Sequence, residues 1–315
     1  NSKSVVVTGT NGKSTTCKLL EHLLKKNNLK CSLGGNIGKP VLDIDNSKNK
    51  YTIIEASSFQ LSHSKFICPD YALFLNISND HLDWHGNMHN YFNSKLKIFK
   101  HQRKNHFAII NNSIIKNFKN KKFLSKAIKN NIKEYKTRVK HKIKNDYLSS
   151  TINDENMSFV YSFSKLIKIK EKNFTTSMKS FKGLPHRFEI FLKKRDTVFI
   201  NDSKATTFRA AHSALQDLKN IYWILGGQPK EKDKFYLGRN RRNIVRCYLI
   251  GDSINFFKKQ IKGKVDFLVT FNLKKTILQI LRDIKFKKEK EKFILFSPAA
   301  ASFDQFKNFE ERGDE

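Results

Sequence analysis

The residues most able to do chemistry lie near the start of the chain, where the apolar run 5–7 leads into Thr8-Gly-Thr-Asn-Gly-Lys-Ser-Thr15. A β-branched strand followed by a glycine-flanked turn and a helix directs backbone N–H groups and a helix N-terminus toward an anion. Lys13 can then reach the terminal phosphates of a nucleotide, and the Ser14 hydroxyl can bind Mg²⁺. The run therefore predicts a phosphate loop, residues 9–15, shortened because Val7 replaces the first glycine of the general pattern.

Alternating strands and helices have to hold that loop in place. Apolar runs at residues 51–54 and 71–75 predict strands between helix-like segments, as in βαβ units of a mostly parallel sheet. The Lys- and Asn-rich stretch 100–150 predicts one strand with surface elements around it. After the Gly-Leu-Pro segment 183–185 the alternation resumes and predicts a second, Rossmann-like α/β domain. Its predicted strands are 197–200, 221–225, 246–250, 265–270 and 293–296, and its predicted helices are 205–218 and 273–284.

We place the domain boundary at the end of that Gly-Leu-Pro segment, which gives domains 1–185 and 186–315. A hinge is expected near residues 182–185, because glycine and proline interrupt the regular elements there.

Composition argues against several classes of function. The 315 residues are 39% apolar and carry a formal net charge of +33, but Lys supplies most of the basic residues and is spread through every segment. Arg is favoured for bidentate phosphate recognition, so this distribution argues against specific nucleic-acid binding. The four cysteines show no metal or disulfide spacing, and no apolar run reaches about eighteen residues. The sequence predicts a cytoplasmic monomer that binds no membrane.

Six further motifs follow the phosphate loop along nearly the whole chain. They are Gly34-Gly-Asn-Ile-Gly38, Glu55-Ala-Ser-Ser-Phe-Gln-Leu61, Asn79-Asp-His-Leu-Asp83, Gly183-Leu-Pro-His-Arg187, Asn201-Asp-Ser-Lys-Ala-Thr206 and Ser-Pro-Ala-Ala-Ala-Ser-Phe-Asp-Gln-Phe-Lys-Asn-Phe at 297–309. In this order they resemble the Mur ligase superfamily, the ATP-dependent amide ligases of peptidoglycan and folate metabolism. The Ser-Ser-Phe-Gln and Asp-Gln-Phe-Lys-Asn-Phe segments resemble the branch that adds D-glutamate to UDP-N-acetylmuramoyl-L-alanine.

The resemblance implies an α/β fold, with a P-loop central domain built on a mostly parallel sheet and a Rossmann-like C-terminal domain that binds D-glutamate. It implies an ATP-dependent ligase of peptidoglycan biosynthesis, and thereby of cell shape and division, that acts through an acyl phosphate. Members of this branch carry a UDP-binding domain ahead of the phosphate loop and a further helical segment at the C-terminus. We therefore expect a truncated chain with very low ligase activity of its own.

Joining a carboxylate to an amine with ATP brings the negative charges of the carboxylate and the phosphates close together. Two Mg²⁺ ions and cationic side chains offset these charges. Ser14 and Glu55 are the predicted ligands of the first ion, since Glu55 ends an apolar strand where its carboxylate can face the phosphate loop. The resemblance makes His81 a ligand of the second ion and places at Lys95 a lysine carbamylated by CO₂, an anion able to bind Mg²⁺. Lys13, His81 and Lys95 are the predicted catalytic residues.

The resemblance also assigns the remaining ligand contacts, each at the matching position of a motif. Besides the phosphate loop itself, Gly9, Thr10, Asn11, Gly12, Lys13, Ser14 and Thr15, the predicted nucleotide contacts are Asn153, Asn156, His186, Arg187 and Asp202. The family usually has His where Ile152 stands. Asn36, with His81, is predicted to position the muramoyl-alanine end of the substrate. The predicted D-glutamate pocket, where ammonium and hydroxyl donors would hold two carboxylates, consists of Lys204, Thr206, Lys230, Ser302 and Phe309.

Two alternatives stay open at the level of sequence. The net charge and the expected truncation also fit a noncatalytic or nucleic-acid-associated nucleotide-binding remnant of a Mur ligase. A folate-type polyglutamate ligase has less support, because the loop of that family usually runs Gly-Lys-Gly-Ser, unlike residues 12–15 here.

Overall fold

A computed structural model of the protein describes residues 2–45, 47–115, 126–230, 233–285 and 291–315. Its contacts divide the chain into two compact units, Asn1–Lys182 and Gly183–Glu315. The division falls at the start of the predicted hinge. In the part of the chain that the structure describes, no helix is both long and apolar enough to cross a bilayer.

The first unit is built on a six-stranded sheet in which every neighbouring pair is parallel, in the order β2-β3-β1-β4-β5-β6. Its strands are β1 Lys3–Thr8, β2 Cys31–Gly35, β3 Tyr51–Glu55, β4 Tyr71–Phe74, β5 Phe107–Ile110 and β6 Lys126–Lys129. Its helices are α1 Lys13–Lys26, α2 Ser58–His63, α3 Leu82–His85, α4 Met88–Lys100, α5 Asn112–Ile115, α6 Ile132–Arg138, α7 Asp146–Ser149, α8 Asp154–Leu166 and α9 Glu171–Lys179.

The strand β1 lies in the middle of this sheet and is buried on both faces. Val5, Val6 and Val7 are each at most 1% exposed, as expected for a central parallel strand, whose successive side chains point to opposite faces. Val6 belongs to a core cluster with Leu61 of α2 and Phe99 of α4, while α1 packs on β1, β2 and β3. Because the strands are parallel, β1, β3 and β4 end at one edge of the sheet, where ligands bind in such folds.

The second unit has its own six-stranded sheet, in the order β11-β10-β9-β12-β8-β7, parallel except for the antiparallel pair β7 and β8. Its strands are β7 Glu189–Lys194, β8 Thr197–Asn201, β9 Ile221–Gly226, β10 Ile244–Ile250, β11 Phe267–Phe271 and β12 Lys292–Phe296. Its helices are α10 Phe208–Asp217, α11 Ile254–Ile261, α12 Leu273–Lys285 and α13 Phe309–Asp314. The predicted fold class, α/β with a mostly parallel sheet followed by a Rossmann-like domain, is confirmed.

Several details differ from the sequence-based prediction. The stretch 100–150 contains two strands, β5 and β6, instead of the one predicted, and β2 was not among the predicted strands. β2 has glycine at two of its five positions and β6 has lysine at both ends, so neither shows the apolar run that indicates a strand. The helix predicted from residue 205 begins only at Phe208, because the Thr207 side chain caps it by accepting a hydrogen bond from the Ala210 amide at 3.3 Å. Sequence analysis also missed the edge strand β7. Its residues are largely exposed and show no alternation of apolar and polar side chains, so a period of two was not visible.

Candidate active site

The phosphate loop joins β1 to the N-terminus of α1, as its sequence predicts. Gly12 precedes α1 with a φ of 81°, a left-handed conformation that glycine adopts readily. A Cβ atom at this position would lie 2.1 Å from Oδ1 of Asn156. Asn156 also accepts a hydrogen bond from the Thr16 hydroxyl at 3.3 Å. The structure therefore brings this predicted nucleotide contact, Asn156, directly against the phosphate loop.

Two successive amides of the loop bind a side chain that sequence analysis missed. Oδ1 of Asn76, which follows β4, accepts hydrogen bonds from the Thr10 amide at 3.1 Å and the Asn11 amide at 2.9 Å. These amides therefore shape the loop. The N–H groups of the first turn of α1 are the ones that the helix itself leaves without a backbone partner, so the anion-binding end of the loop lies there.

A carboxylate fixes the orientation of Asn76. Glu155 of α8 accepts a hydrogen bond from the Asn76 side-chain amide at 2.5 Å and another from the Asn111 side-chain amide at 2.5 Å. The Asn76 amide nitrogen donates to this carboxylate and, at 3.2 Å, to the Asn11 carbonyl, which leaves its oxygen to accept from the two loop amides. These three residues are far apart in sequence and form no motif, which is why sequence reasoning did not find them.

Lys13 and Lys95 meet at one carbonyl oxygen of the loop. Nζ of Lys13 donates to the carbonyls of Gly9 at 3.0 Å and Thr10 at 2.8 Å, and Nζ of Lys95 donates to Gly9 at 2.9 Å. Lys95 is 1% exposed. Burial, and next the positive charge of Lys13, lower the pKa of Lys95 to about 6, whereas Asp80 acts in the opposite direction. At neutral pH the Lys95 side chain is therefore mostly a neutral amine.

Tyr91 ties α4 to the same loop and was also missed by sequence analysis. Its ring centroid lies 4.6 Å from Nζ of Lys95, and its hydroxyl forms a hydrogen bond with the Thr10 hydroxyl at 3.1 Å. The Thr10 hydroxyl also accepts from the Ser78 amide at 3.0 Å. Lys95 is thus held by neighbours that are themselves bonded to the loop.

Glu55 is the last residue of β3, and its two carboxylate oxygens differ in their hydrogen bonding. The residue is 2% exposed, and its Oε1 accepts a hydrogen bond from the side-chain amide of Asn36 at 3.0 Å. Its Oε2 is buried and has no hydrogen-bond partner among the described residues. A buried carboxylate oxygen without a partner is unfavourable, and a hard cation is the kind of ligand that would satisfy it. The site therefore fits a Mg²⁺ ion beside the phosphate loop.

The remaining donors suit a metal ion that arrives with a nucleotide. Within the described ranges, no cluster of three or more His, Cys, Asp or Glu side chains could hold a metal on its own. Mg²⁺ is commonly held by one or two carboxylates together with substrate phosphates and water. A single buried carboxylate at Glu55, with the Ser14 hydroxyl in the first turn of α1, agrees with that mode of binding.

His81 stands just before α3 in a left-handed conformation, with a φ of 53°. Its side chain is 42% exposed, and Nε2 lies 3.4 Å from Oδ2 of Asp80. The ring packs edge-on against Phe59 at 4.8 Å between centroids. Because non-glycine residues rarely adopt a positive φ, the backbone is constrained at this position.

Asn153, the other predicted nucleotide contact on α8, makes a bond within the protein. It is buried, and its side-chain amide donates to the Tyr147 carbonyl at 2.9 Å. This bond joins α7 to the start of α8.

In the second unit, the predicted site residues lie just before β7 and on the segments that follow β8, β9 and β12. Asp202 follows β8 and accepts hydrogen bonds from the Ser297 hydroxyl at 2.7 Å and the Phe188 amide at 3.0 Å. Burial of the carboxyl group raises the pKa of Asp202 to about 7, although both hydrogen bonds and the charge of Arg187 oppose that shift. Asp202 and the predicted contact Arg187 are therefore close enough to interact electrostatically.

Three more predicted residues of this unit lie together. The ammonium group of Lys204 lies 3.7 Å from the ring centroid of Phe309, a cation–π contact. The Phe309 ring is 6.4 Å from the ring of His186, which forms a hydrogen bond through Nδ1 with the Asn201 side-chain amide at 3.1 Å. The Lys204 amide donates to the His186 carbonyl at 2.9 Å.

The other predicted D-glutamate contacts occupy neighbouring loops. The Thr206 amide donates to the Lys204 carbonyl at 2.8 Å, and Ser302 is 2% exposed. The loop that carries Lys230 pairs with the loop that carries Ser302 through two backbone hydrogen bonds between Gln228 and Ala301, at 2.8 and 3.0 Å. Lys230 itself is exposed.

Comparisons with known proteins agree with this geometry. Residues 7–183 match the family model described as the Mur ligase middle domain. The chain is 37% identical to the UDP-N-acetylmuramoylalanine--D-glutamate ligase of Rickettsia bellii, covering 98% of this chain and 74% of the relative. It is 36% identical to the protein of the same name from Rickettsia felis, covering 100% of this chain and 74% of the relative. The solved MurF ligase of Thermotoga maritima in complex with ADP matches with a TM-score of 0.68 at 17% identity, covering 95% of this chain and 77% of that one. At this identity the structural match shows the fold alone.

Proposed function

The chain belongs to the Mur ligase family, and from this premise we propose how its residues carry out ligation. The enzyme is an ATP-dependent ligase of peptidoglycan synthesis that joins D-glutamate to UDP-N-acetylmuramoyl-L-alanine. The structural observation that best supports this chemistry is the meeting of Lys13 and a neutral, buried Lys95 at the Gly9 carbonyl of the phosphate loop.

The reaction takes place in two steps. A carboxylate oxygen of the muramoyl-alanine substrate attacks the γ-phosphorus of ATP, ADP leaves, and an acyl phosphate forms. The amine of D-glutamate then attacks the acyl carbon, and inorganic phosphate and a proton leave. In both steps the protein has mainly to position the reactants and offset negative charge. The N-terminus of α1 and the ammonium of Lys13 are placed to do so at the phosphates.

Mg²⁺ would be held by Ser14 and Glu55, and at a second position by His81 and a carbamylated Lys95. When bound, it would supply positive charge that offsets the negative charge of the phosphate and carboxylate groups. The buried, unpartnered Oε2 of Glu55 supports the first position. Asn36 donates to the other carboxylate oxygen and so fixes the direction in which Oε2 points.

The state of the Lys95 amine supports the proposed carbamylation. CO₂ reacts with a neutral amine: the nitrogen lone pair forms the N–C bond, and one proton is released to water. With a pKa of about 6, most Lys95 side chains are neutral at pH 7, whereas about one in several thousand would be neutral at the ordinary lysine pKa. The carbamate would place a negative group close to Lys13, which contacts the same Gly9 carbonyl.

The nucleotide would also be held by Asn156 at the loop, and by Asn153, His186, Arg187 and Asp202. Asn36 would position the muramoyl-alanine end, and D-glutamate would be held by Lys204, Thr206, Lys230, Ser302 and Phe309. The contact between Lys204 and Phe309 supports this pocket, because it fixes an ammonium group at the loop after β8. We assign the central, ATP-binding domain to residues 1–185 and the D-glutamate domain to 186–315. A monomer without membrane or specific nucleic-acid binding is part of the same proposal.

A phosphate-release assay tests the proposal. The chain alone, and the chain fused behind the UDP-binding domain that the family resemblance predicts, receive Mg-ATP, D-glutamate and UDP-N-acetylmuramoyl-L-alanine. We expect the fusion to release phosphate only with both substrates present, and hydroxylamine to trap the acyl phosphate as a hydroxamate. Glu55→Gln should abolish the release, while Lys18→Met, on the surface of α1, should not. ATP binding without substrate-dependent release by either form would instead favour a noncatalytic remnant.

A further inference from the structure

The most unusual charged group outside the proposed chemistry is the guanidinium of Arg312 in α13. The residue is 2% exposed. Its Nε donates to the Ser203 hydroxyl at 3.0 Å, and its Nη2 donates to the Ser203 carbonyl at 2.7 Å. Its Nη1 is buried and has no hydrogen-bond partner among the residues that the structure describes. A buried cation with an unsatisfied donor is unfavourable for stability, so its presence requires an explanation.

Arg312 keeps its charge despite this environment. Burial lowers the pKa of Arg312 to about 10, and the charge of Asp304 opposes that shift. The guanidinium is therefore still protonated at neutral pH. It also lies 6.0 Å from the ring centroid of Phe296, at the end of β12.

On one side the guanidinium holds the loop that follows β8. Ser203, its hydrogen-bond partner, is fully buried and stands next to Lys204. The Ser203 hydroxyl in turn donates to the Phe309 carbonyl at 2.8 Å. Since the Lys204 ammonium lies over the Phe309 ring, a continuous set of contacts runs from Arg312 through Ser203 to Lys204.

On its other side the guanidinium lies against the turn that follows β9. A Cβ atom on Gly227 would be 3.1 Å from Nη1 of Arg312 and 2.3 Å from the Ala301 carbonyl oxygen. The next residue, Gln228, exchanges two backbone hydrogen bonds with Ala301. Arg312 therefore lies beneath the loops after β8 and β9, and the turn after β9 is paired to the loop after β12.

We propose that Arg312 is a positioning residue for the acceptor amino acid. Its guanidinium holds Ser203 and the Gly227 turn in the arrangement in which Lys204, Lys230 and Ser302 bind the two carboxylates of D-glutamate. This inference rests on the proposed function, because the pocket is part of that proposal. The guanidinium does not contact the substrate, since Nη1 is buried. Its charge adds to the positive potential beneath the pocket, which favours a dicarboxylate.

The test separates positioning from a general role in folding. Arg312→Lys keeps the charge but cannot donate from two nitrogens to Ser203, and Arg312→Met loses both. A purely structural role would lower the amount of active enzyme, and therefore the apparent kcat, with KM unchanged. A positioning role raises KM for D-glutamate, by about tenfold or more when a charged hydrogen-bond donor is lost. KM for ATP should rise less, because the phosphate loop and most of the other proposed nucleotide contacts belong to the other unit.

The measurement is steady-state phosphate release by the fused chain, with D-glutamate and ATP varied separately. We expect KM for D-glutamate to rise most in Arg312→Met and less in Arg312→Lys, and to be unchanged in the control Arg209→Met on the surface of α10. If Arg312→Met does not fold, Ser203→Ala, which removes a single hydroxyl, should raise the same KM. Unchanged KM in folded variants of an active enzyme would overturn the positioning role alone. A wild-type enzyme without release dependent on D-glutamate would overturn the proposed function and this inference together.

Discussion

Replacing Lys95 by Met should make the protein more stable while removing ligase activity. Methionine fills nearly the same space with a side chain that cannot carry charge. The folded protein holds Lys95 with a pKa of about 6, against 10.5 for an ordinary lysine. Because the folded pKa is depressed, the unfolded chain binds one more proton between these two values. Burial of this amine therefore destabilises the wild type relative to an uncharged side chain. The destabilisation has its full size below pH 6 and falls to zero as the pH rises toward 10.5.

The expected size follows from these two values. Neutral pH lies about 3.5 units below the ordinary lysine pKa, so keeping Lys95 neutral in the folded wild type costs about 5 kcal/mol of stability at pH 7. Methionine gives up the hydrogen bond to the Gly9 carbonyl, worth about 1 kcal/mol because Lys13 still donates to that oxygen. We therefore expect a net gain of about 4 kcal/mol at pH 7. The gain should be about 3 kcal/mol smaller at pH 9.

Urea unfolding followed by hydrogen exchange of the β1 amides would report on the first unit. The buffer has to be free of CO₂, since a carbamate would change the charge of the site. Lys100→Met, an exposed residue at the end of the same helix, is the matched control and should show no pH-dependent difference. A difference in stability between Lys95→Met and the wild type that stays constant from pH 6.5 to 9 would mean that Lys95 is charged in the folded protein and therefore unreactive toward CO₂.

Four further outcomes follow from the same geometry. Lys13→Ala should weaken ATP binding by about 10- to 150-fold, the loss of one charge-assisted contact, and calorimetry showing unchanged affinity would place the phosphates elsewhere. Glu155→Gln should weaken ATP binding by about tenfold, because the orientation of Asn76 is no longer fixed; equal affinity would show that Asn76 orients itself. Asp202→Asn should remove the loss of stability that the wild type shows as pH rises from about 4 through 7, since the raised pKa of Asp202 favours its protonated form in the folded state; the exchange of β9 amides at pH 5 and 8 measures it. Lys95→Ala should lose ligation and recover part of it with added short carboxylic acids, and full activity without an additive would remove Lys95 from the reaction.

The phosphate loop was predictable because its information is local. Strand, turn and helix follow one another within a few residues, and Gly12 adopts the left-handed conformation that its position requires. The same holds for the strands with long apolar runs in both units, whereas the short or polar strands β2, β6 and β7 were not predicted. The start of α10 was placed too early because the cap formed by Thr207 looks like part of the helical pattern.

The contacts that shape the loop could not be predicted in the same way. Asn76 and Glu155 are separated by 79 residues, and a single Asn or Glu has no periodicity that would distinguish it from a surface residue. Arg312 could not be predicted to be buried for the same reason. An arginine in a charged terminal segment is expected to be exposed, whereas this guanidinium is buried. The pKa of Lys95 also depends on burial and on Lys13, which only the folded arrangement brings close.

The dependence of the phosphate loop on α8 has a consequence for synthesis of the protein. Gly12 lies against Asn156, and the amides of Thr10 and Asn11 bind Asn76, whose orientation depends on Glu155. A ribosome makes the loop first and α8 much later, so the nascent chain carries an incomplete nucleotide site until residues 155 and 156 have left the exit tunnel. Contacts of such long sequence separation also form late in folding. ATP should therefore be unable to act as an early folding ligand for the growing chain, and it can stabilise the first unit only after nearly all of that unit has been made.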